Sequence, residues 1–347
     1  MKKLFITGGA GFLGYHLCKR LSDKFDEIII IDIEKINAHE YPANVKYFNV
    51  NILDKHTIDK LFEKEKPEFV IHAAAALPLY KKETIFNVNV NGTRNILENS
   101  LKSKVKRFVF ISSTAVYGVP DKHPLYEDDS LIGVGPYGTS KIKGEKLCEA
   151  YRKKGLCVSI IRPKTFIGTG RLGVFQILYD WVENGKRIPI IGNGKNRYQL
   201  LEVEDLVDAI YLMLTKKEDE INTVFNVGAK KFNVVYKDVG KLCYAAKSGA
   251  RVFRTPAFLV KFLLSIFEIL KISPLYKWVY GTADTDSFVS IEKIEKLGWK
   301  PKYSNSDALI KSYQWYLHNK HKLQKGTGVT HRVAWSQGIL GLIKKIM

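Results

Sequence analysis

Cysteine is scarce, long apolar runs are missing and acidic residues are few, and each shortage removes a class of protein. Four cysteines stand among 347 residues, and Cys18, Cys148, Cys157 and Cys243 show neither CxxC nor Cys/His spacing. That excludes a zinc site or a disulfide framework and reads as buried thiols in a reducing compartment. No apolar stretch ending at a small-residue cleavage site follows Met1-Lys2-Lys3, so a cytoplasmic protein is expected. No internal repeat or low-complexity segment occurs. Asp and Glu number 35 against 55 Lys and Arg, a net charge of +20, and no acidic residue follows Asp307. The basic residues are spread through the chain without helix-turn-helix or zinc-finger spacing, so no nucleic-acid partner is expected. An anionic small substrate or an anionic membrane surface accounts for the sign.

What is present is a folded, enzyme-sized chain, 46% hydrophobic. Strand-like runs at 3–7, 27–32, 45–50, 68–73, 107–113 and 157–162 alternate with helical patterns, which means βαβ units and a parallel sheet. The expected fold class is α/β, a Rossmann-type doubly wound sheet. Beyond residue 163 the strands shorten, around 188–191, 198–203 and 223–227, and a smaller mixed α/β lobe is expected. The domains are thus 1–163 with later segments returning to the sheet, a substrate-binding lobe over 164–320, and a basic amphipathic tail over 321–347.

Thr7-Gly8-Gly9-Ala10-Gly11-Phe12-Leu13-Gly14 follows the apolar run Leu4-Phe5-Ile6 and opens an amphipathic stretch. Gly8, Gly11 and Gly14 allow a tight strand-to-helix turn and a close backbone approach to a pyrophosphate, and the helix start at Phe12 and Leu13 aims unpaired N–H groups at the anion. The second apolar run ends on Asp32, placed to accept from both hydroxyls of an adenosine ribose. A 2′-phosphate would be repelled there, so the cofactor is read as NAD rather than NADP. No metal is expected.

Tyr137-Gly138-Thr139-Ser140-Lys141 sets a phenol and an ammonium one helical turn apart, where the ammonium makes the phenol a usable proton acceptor. The fifth strand ends in Ser112-Ser113-Thr114-Ala115-Val116-Tyr117-Gly118, and ligands bind at the strand C-termini of such sheets. The succession of Gly-rich turn, strand-end serine and Tyr-x-x-x-Lys resembles the extended short-chain dehydrogenase/reductase superfamily, in its NAD-dependent epimerase/dehydratase branch. His72-Ala73-Ala74-Ala75, Asn89-Val90-Asn91-Gly92-Thr93, Ile161-Arg162-Pro163 and Gly298-Trp299-Lys300-Pro301 agree with it over about residues 2–320.

The resemblance implies roles. Tyr137 is the catalytic acid or base, Lys141 binds the nicotinamide ribose and holds Tyr137 partly ionised, and Ser113 hydrogen-bonds the reacting oxygen. Ala73, Ala74, Asn89 and Pro163 join the cofactor residues, as do Asn51 and Ile52 where the family contacts adenine. Dehydratases of the superfamily carry an Asp-Glu pair, or at least a Glu, where this chain has Thr114 and Ala115, which disfavours a 4,6-dehydratase. The family's Asn-Val-Tyr-Gly-Pro segment is replaced by Thr165-Phe166-Ile167-Gly168-Thr169. Its diphosphate-binding Arg, in Arg-Asp-Phe-Ile-His-Val, is replaced by Tyr198. Ser113, Thr114, Thr165, Arg171 and Arg197 are the substrate candidates, with Lys164 and Lys195 as further cations able to replace the clamp.

The leading expectation is an NAD-dependent epimerase of a nucleotide-linked or polyprenyl-diphosphate-linked sugar in cell-envelope polysaccharide synthesis. The alternatives are a hydroxysteroid-dehydrogenase-like oxidoreductase and a non-catalytic NAD-binding regulator, and an intact Ser113, Tyr137 and Lys141 argues against the last. Read as a helix, residues 257–272 are apolar but for one polar stripe, Lys261, Ser265, Glu268 and Lys271. At 1.5 Å per residue it reaches about 24 Å, short of the roughly 30 Å hydrocarbon core. With the aromatic and basic residues 275–280, and a tail placing Trp335, Ile339, Leu342, Ile343 and Ile346 beside Arg332, Lys344 and Lys345, it suggests peripheral contact with an anionic membrane. The other readings are a buried lobe helix and a tail docked on the body or on a second subunit of a homodimer.

Overall fold

The structure, a computed structural model, describes residues 2–78, 80–170, 172–270, 275, 280–322, 324–325, 333–334 and 337–346. Its strands are β1 (Lys3–Thr7), β2 (Glu27–Asp32), β3 (Val45–Asn49), β4 (Phe69–His72), β5 (Arg107–Ile111), β6 (Val158–Pro163), β7 (Thr165–Ile167), β8 (Arg187–Ile191), β9 (Leu200–Glu202), β10 (Val224–Val227) and β11 (Arg251–Thr255). Seven form one parallel sheet in the order β3-β2-β1-β4-β5-β6-β10.

The central strands read as unbroken apolar runs because both faces of the sheet are covered. Leu4, Ile6, Ile28 and Ile30 face one layer, made by α1 (Phe12–Leu21) and later elements, while Phe5, Ile29 and Ile31 face the other. That second layer holds α2 (Lys55–Glu65), α4 (Thr93–Lys102), which follows the short α3 (Lys82–Phe86), and α5 (Gly135–Arg152), through Phe62, Ile96, Leu97 and Cys148. All four cysteines are buried and free.

Beyond β6 the chain divides its residues between sheet and lobe. The segment expected as a short strand at 223–227 is the seventh sheet strand, with Val224 paired to Ile160. Before it, α7 (Val203–Thr215) covers the α1 face with Leu206, Ile210 and Met213, and α8 (Glu218–Ile221) leads into β10. The lobe is built on α6 (Phe175–Glu183), α9 (Val235–Ala246), α10 (Ala257–Ile269), α11 (Glu292–Lys296) and α12 (Asn305–Asn319) with two small parallel pairs, β7 with β9 and β8 with β11. Tyr179, Trp181, Leu242, Leu309 and Tyr313 form its core. Some lobe elements also reach the α1-side core: α11 sends Ile294 into it and β9 sends Leu201, with Phe166 of β7 packed against it.

The two C-terminal segments differ from each other. Of α10 only Leu264 is buried, and Phe258, at 84% exposure, Phe262 and Ile269 stand in solvent, so it is not a buried lobe helix. Its polar stripe turns inward: Lys261 pairs with Asp284 at 2.5 Å, and the Glu268 carboxylate accepts from the Tyr280 hydroxyl. The tail helix α13 (Leu340–Ile346) is instead docked on α6. Leu340 and Ile343 pack on the lobe core, and Lys344 and Gln337 both hold Asp180. This corrects the expectation of a tail helix free to lie on a membrane. Lys271, most of 275–280, Arg332, Trp335 and the side chain of Ile346 lie outside the described residues. Among the described residues no helix is long and apolar enough to cross a membrane.

Candidate active site

A cavity of about 570 Å³ opens along the C-terminal edge of the sheet and runs between sheet and lobe. One end is built by the turn after β1. Gly8 adopts φ +75°, and a Cβ there would come within 2.8 Å of the Ala74 nitrogen. At Gly14 a Cβ would stand 2.3 Å from the Gly8 carbonyl oxygen, so β1 and α1 meet this closely only through glycine. Gly11 caps α1 without a side-chain hydrogen bond and the first turn holds no acid. The leading N–H groups of α1, at Phe12, Leu13 and Gly14, therefore present a positive, unpaired end to the cavity.

Asp32 ends β2 on the cavity wall. Its two oxygens accept from the Ala10 and Glu34 N–H groups at 3.0 Å each, which fixes the carboxylate while leaving lone pairs for ribose hydroxyls. Burial raises its carboxyl pKa above the ordinary value, and those N–H bonds oppose the shift. Asn51 and Ile52 line the wall after β3, with Asn51 also accepting from Leu53 N–H. NAD is expected to bind at least about tenfold more tightly than NADP, about 1.4 kcal/mol, and Asp32→Ala to narrow that gap. Calorimetric titration with both dinucleotides measures it, and equal affinities in the parent would remove Asp32 from the ribose site.

Ala73 and Ala74 form the wall after β4. Behind them His72 is buried between the Thr7 hydroxyl at 2.7 Å and the Thr93 hydroxyl at 2.9 Å. Burial pushes its imidazole down to about 3, so it is a neutral structural link. Asn89 does not line the cavity. Its oxygen accepts from Ala76 N–H, and its amide donates to the Ala76 carbonyl and the Ser140 hydroxyl, tying this wall to α5. It sits in a π-helical turn, Asn87–Gly92, where the helix is widened by one residue.

The opposite end brings together the residues of β5 and α5. Tyr137 and Lys141 lie one turn apart on α5, both on the cavity, with the ammonium 5.9 Å from the centre of the phenol ring. The Lys141 ammonium donates to the Ile111 carbonyl at 2.8 Å, and burial lowers its pKa to about 8. Ser113 lines the cavity and accepts from Ala115 N–H, so it also caps the short turn Thr114–Tyr117. Ser112 donates instead to Glu145, which is held by Arg162 at 2.6 Å in a buried pair. Of the two serines, Ser113 is therefore the one whose hydroxyl proton is left for a ligand.

Thr114, Pro163 and Thr165 also line the cavity, Thr114 Oγ1 donating to the Pro163 carbonyl at 3.4 Å. Arg197 does not: its guanidinium is half exposed, paired with Asp286 and stacked 4.1 Å from the centre of the Phe288 ring. Arg171 lies outside the described residues. Sequence reasoning placed Tyr198 only as the replacement of the family's arginine and missed Asp286 and Ser287, which join Thr165 and Tyr198 on the cavity only through the folding of the lobe. The Glu145–Arg162–Tyr117 network was also missed, although an apolar strand ending in Arg is a signal that the charge must be paired.

The NAD dependent epimerase/dehydratase family matches residues 4–228. The uncharacterized protein y4nG of Sinorhizobium fredii is 33% identical over 349 residues, covering 99% of this chain and 86% of that protein. A UDP-glucose 4-epimerase of Lactobacillus helveticus is 27% identical, covering 92% of this chain and 98% of its own length. Among solved structures, an epimerase of Methanothermobacter thermautotrophicus superposes with a TM-score of 0.76 at 26% identity, covering 92% of this chain and 93% of that one. The Bordetella bronchiseptica enzyme WbmG in complex with NAD, at 23% identity and a TM-score of 0.72 over 95% and 96%, shares the fold. With the Gly-rich turn, Asp32, Ser113 and the Tyr137/Lys141 pair on one cavity, the chain belongs to the NAD-dependent epimerase/dehydratase family, enzymes of the extended short-chain dehydrogenase type.

Proposed function

We propose that the protein epimerises a sugar carried on a nucleotide or a polyprenyl diphosphate, by transient oxidation of a ring hydroxyl. The observation that carries this is the meeting of Ser113, Tyr137 and Lys141 on the same cavity as Asp32 and the N-terminus of α1. The residues present fit NAD: an unpaired helix end for the pyrophosphate, a fixed carboxylate for the ribose, and a buried Lys141 for the second ribose. Bound there, NAD would supply an acceptor and then a donor of two electrons at one carbon.

The chain's own groups supply the rest. Ser113 hydrogen-bonds the reacting oxygen, Tyr137 takes its proton, and Lys141 keeps the phenol in the form able to accept it. Tyr137 returns the proton to the same oxygen, and the product is the epimer when the ring carbon would take its hydrogen back from NAD on the opposite face. Among the described residues on the cavity the carboxylates are Asp32 and Glu34 after β2 and Asp286, which is paired with Arg197. Thr114 and Ala115 follow Ser113, so no acid stands there to eliminate water, which supports epimerisation over dehydration although several relatives are 4,6-dehydratases.

Membrane-associated polysaccharide synthesis is supported by α10, where Lys261 and Glu268 pair with the protein while Phe258, Phe262 and Ile269 face out, and by the net charge of +20. The test of function is incubation of the protein and NAD with UDP-glucose, UDP-glucuronate and their N-acetyl counterparts. Isomer formed without net NADH absorbance is expected. Stoichiometric NADH would make the protein a dehydrogenase, and neither product nor NADH from any sugar would overturn the reading.

A further inference from the structure

One cation on the cavity has no role in the chemistry above. Lys164 directly follows β6, and its side chain is 4% exposed and lines the cavity. Its ammonium donates to the Ser287 hydroxyl oxygen at 2.6 Å and lies 5.1 Å from the centre of the Tyr198 ring. No carboxylate among the described residues pairs with it. Asp286, next to Ser287 in the chain, is held by the backbone N–H and guanidinium of Arg197 at 2.7 and 3.2 Å.

A buried ammonium with one neutral partner is costly, and burial lowers its pKa to about 7. A long apolar side chain would fill the same space without that cost, so retention of the charge calls for a ligand. The neighbouring groups agree on its sign. Ser287 spends an oxygen lone pair on Lys164 and keeps its own O–H to donate. Thr165 and Tyr198 share one hydrogen bond at 2.8 Å, which leaves one of their two hydroxyl protons over. The cluster offers donors and a positive charge, which is what an oxyanion requires.

Resting on the sugar-epimerase reading, we propose that Lys164 and Ser287 form the oxyanion subsite of the substrate, taking either a phosphate of its diphosphate or a carboxylate on its sugar. The placement explains how a cation is restored where the family's diphosphate arginine has become Tyr198. In the parallel β7–β9 pair Thr165 stands opposite Leu200, which brings the lysine before β7 under the tyrosine before β9.

The test is calorimetric titration of the NAD-loaded protein with pyrophosphate, UDP, UDP-glucose and UDP-glucuronate. Lys164→Met, close in length and shape, is expected to weaken binding by about 30-fold or more, the effect of removing one partner of a buried charge pair. Ser287→Ala is expected to weaken it by about threefold to tenfold. An equal loss on all four probes assigns the subsite to the diphosphate, and a loss confined to UDP-glucuronate assigns it to the sugar carboxylate. Ligand-free Lys164→Met should also melt higher than the parent at pH 6, because the buried charge is gone. A lysine needed only for the fold would lower the melting temperature, and that result overturns the proposal. So does a Lys164→Met variant that binds all four probes as the parent does. A parent that binds NAD but none of the probes overturns it too, while the redox reading remains to be judged by Tyr137→Phe.

Discussion

Tyr137→Phe is expected to lower the chemical rate by about 10²–10⁴, the contribution of a positioned acid or base, with NAD affinity unchanged. The substitution removes one oxygen and keeps the ring, so the cavity keeps its shape. Lys141 keeps its hydrogen bond to the Ile111 carbonyl, which is independent of the phenol. Neighbouring hydroxyls are poor substitutes: Ser112 is given to Glu145 and Thr114 to the Pro163 carbonyl. Single-turnover absorbance at the NADH band, beside a calorimetric NAD titration, separates the two effects. Turnover at the parent's rate would take Tyr137 out of the chemistry.

The second large effect concerns α10. Changing Phe258, Phe262 and Ile269 together to Ser is expected to weaken binding to anionic vesicles by about 100-fold or more, since each apolar side chain transferred from water contributes about 1.5–3 kcal/mol. All three are exposed, so the change leaves the lobe core intact and NAD binding should persist. Basic residues near the surface add about 1 kcal/mol each and are screened by salt, so the parent's binding should fall with ionic strength without vanishing. Deleting 329–347 should leave vesicle binding in place and lower the melting temperature, because Lys344, Leu340 and Ile343 hold the tail helix on the lobe. Co-sedimentation with phosphatidylglycerol vesicles measures this. A parent that stays in the supernatant at low salt, or forms a dimer that the triple change disrupts, would assign α10 to a protein partner.

The sequence by itself determined the first six strands of the sheet and the cofactor end of the cavity, because both are written in local patterns. A strand covered on both faces must be continuously apolar, as Ile28 to Ile31 of β2 are, and a turn in which a Cβ would strike backbone must be glycine, as at Gly8 and Gly14. Tyr137 and Lys141 were legible for the same reason, since four residues on a helix are neighbours whatever surrounds them. Other features depended on contacts between distant segments. Asn89 turned from the cavity to tie Ala76 to Ser140, Arg197 was spent on Asp286, and Val224–Val227 returned to the sheet. The periodicity of α10 told which residues share a stripe, but not which side faces water; Asp284 and Tyr280 decided that by pairing with Lys261 and Glu268 and turning the apolar face outward. The buried charge of Lys164 was equally invisible in its neighbours Pro163 and Thr165. It exists only because the lobe closes Ser287 and Tyr198 over it, and burial, unlike turn geometry, is a property of the whole chain.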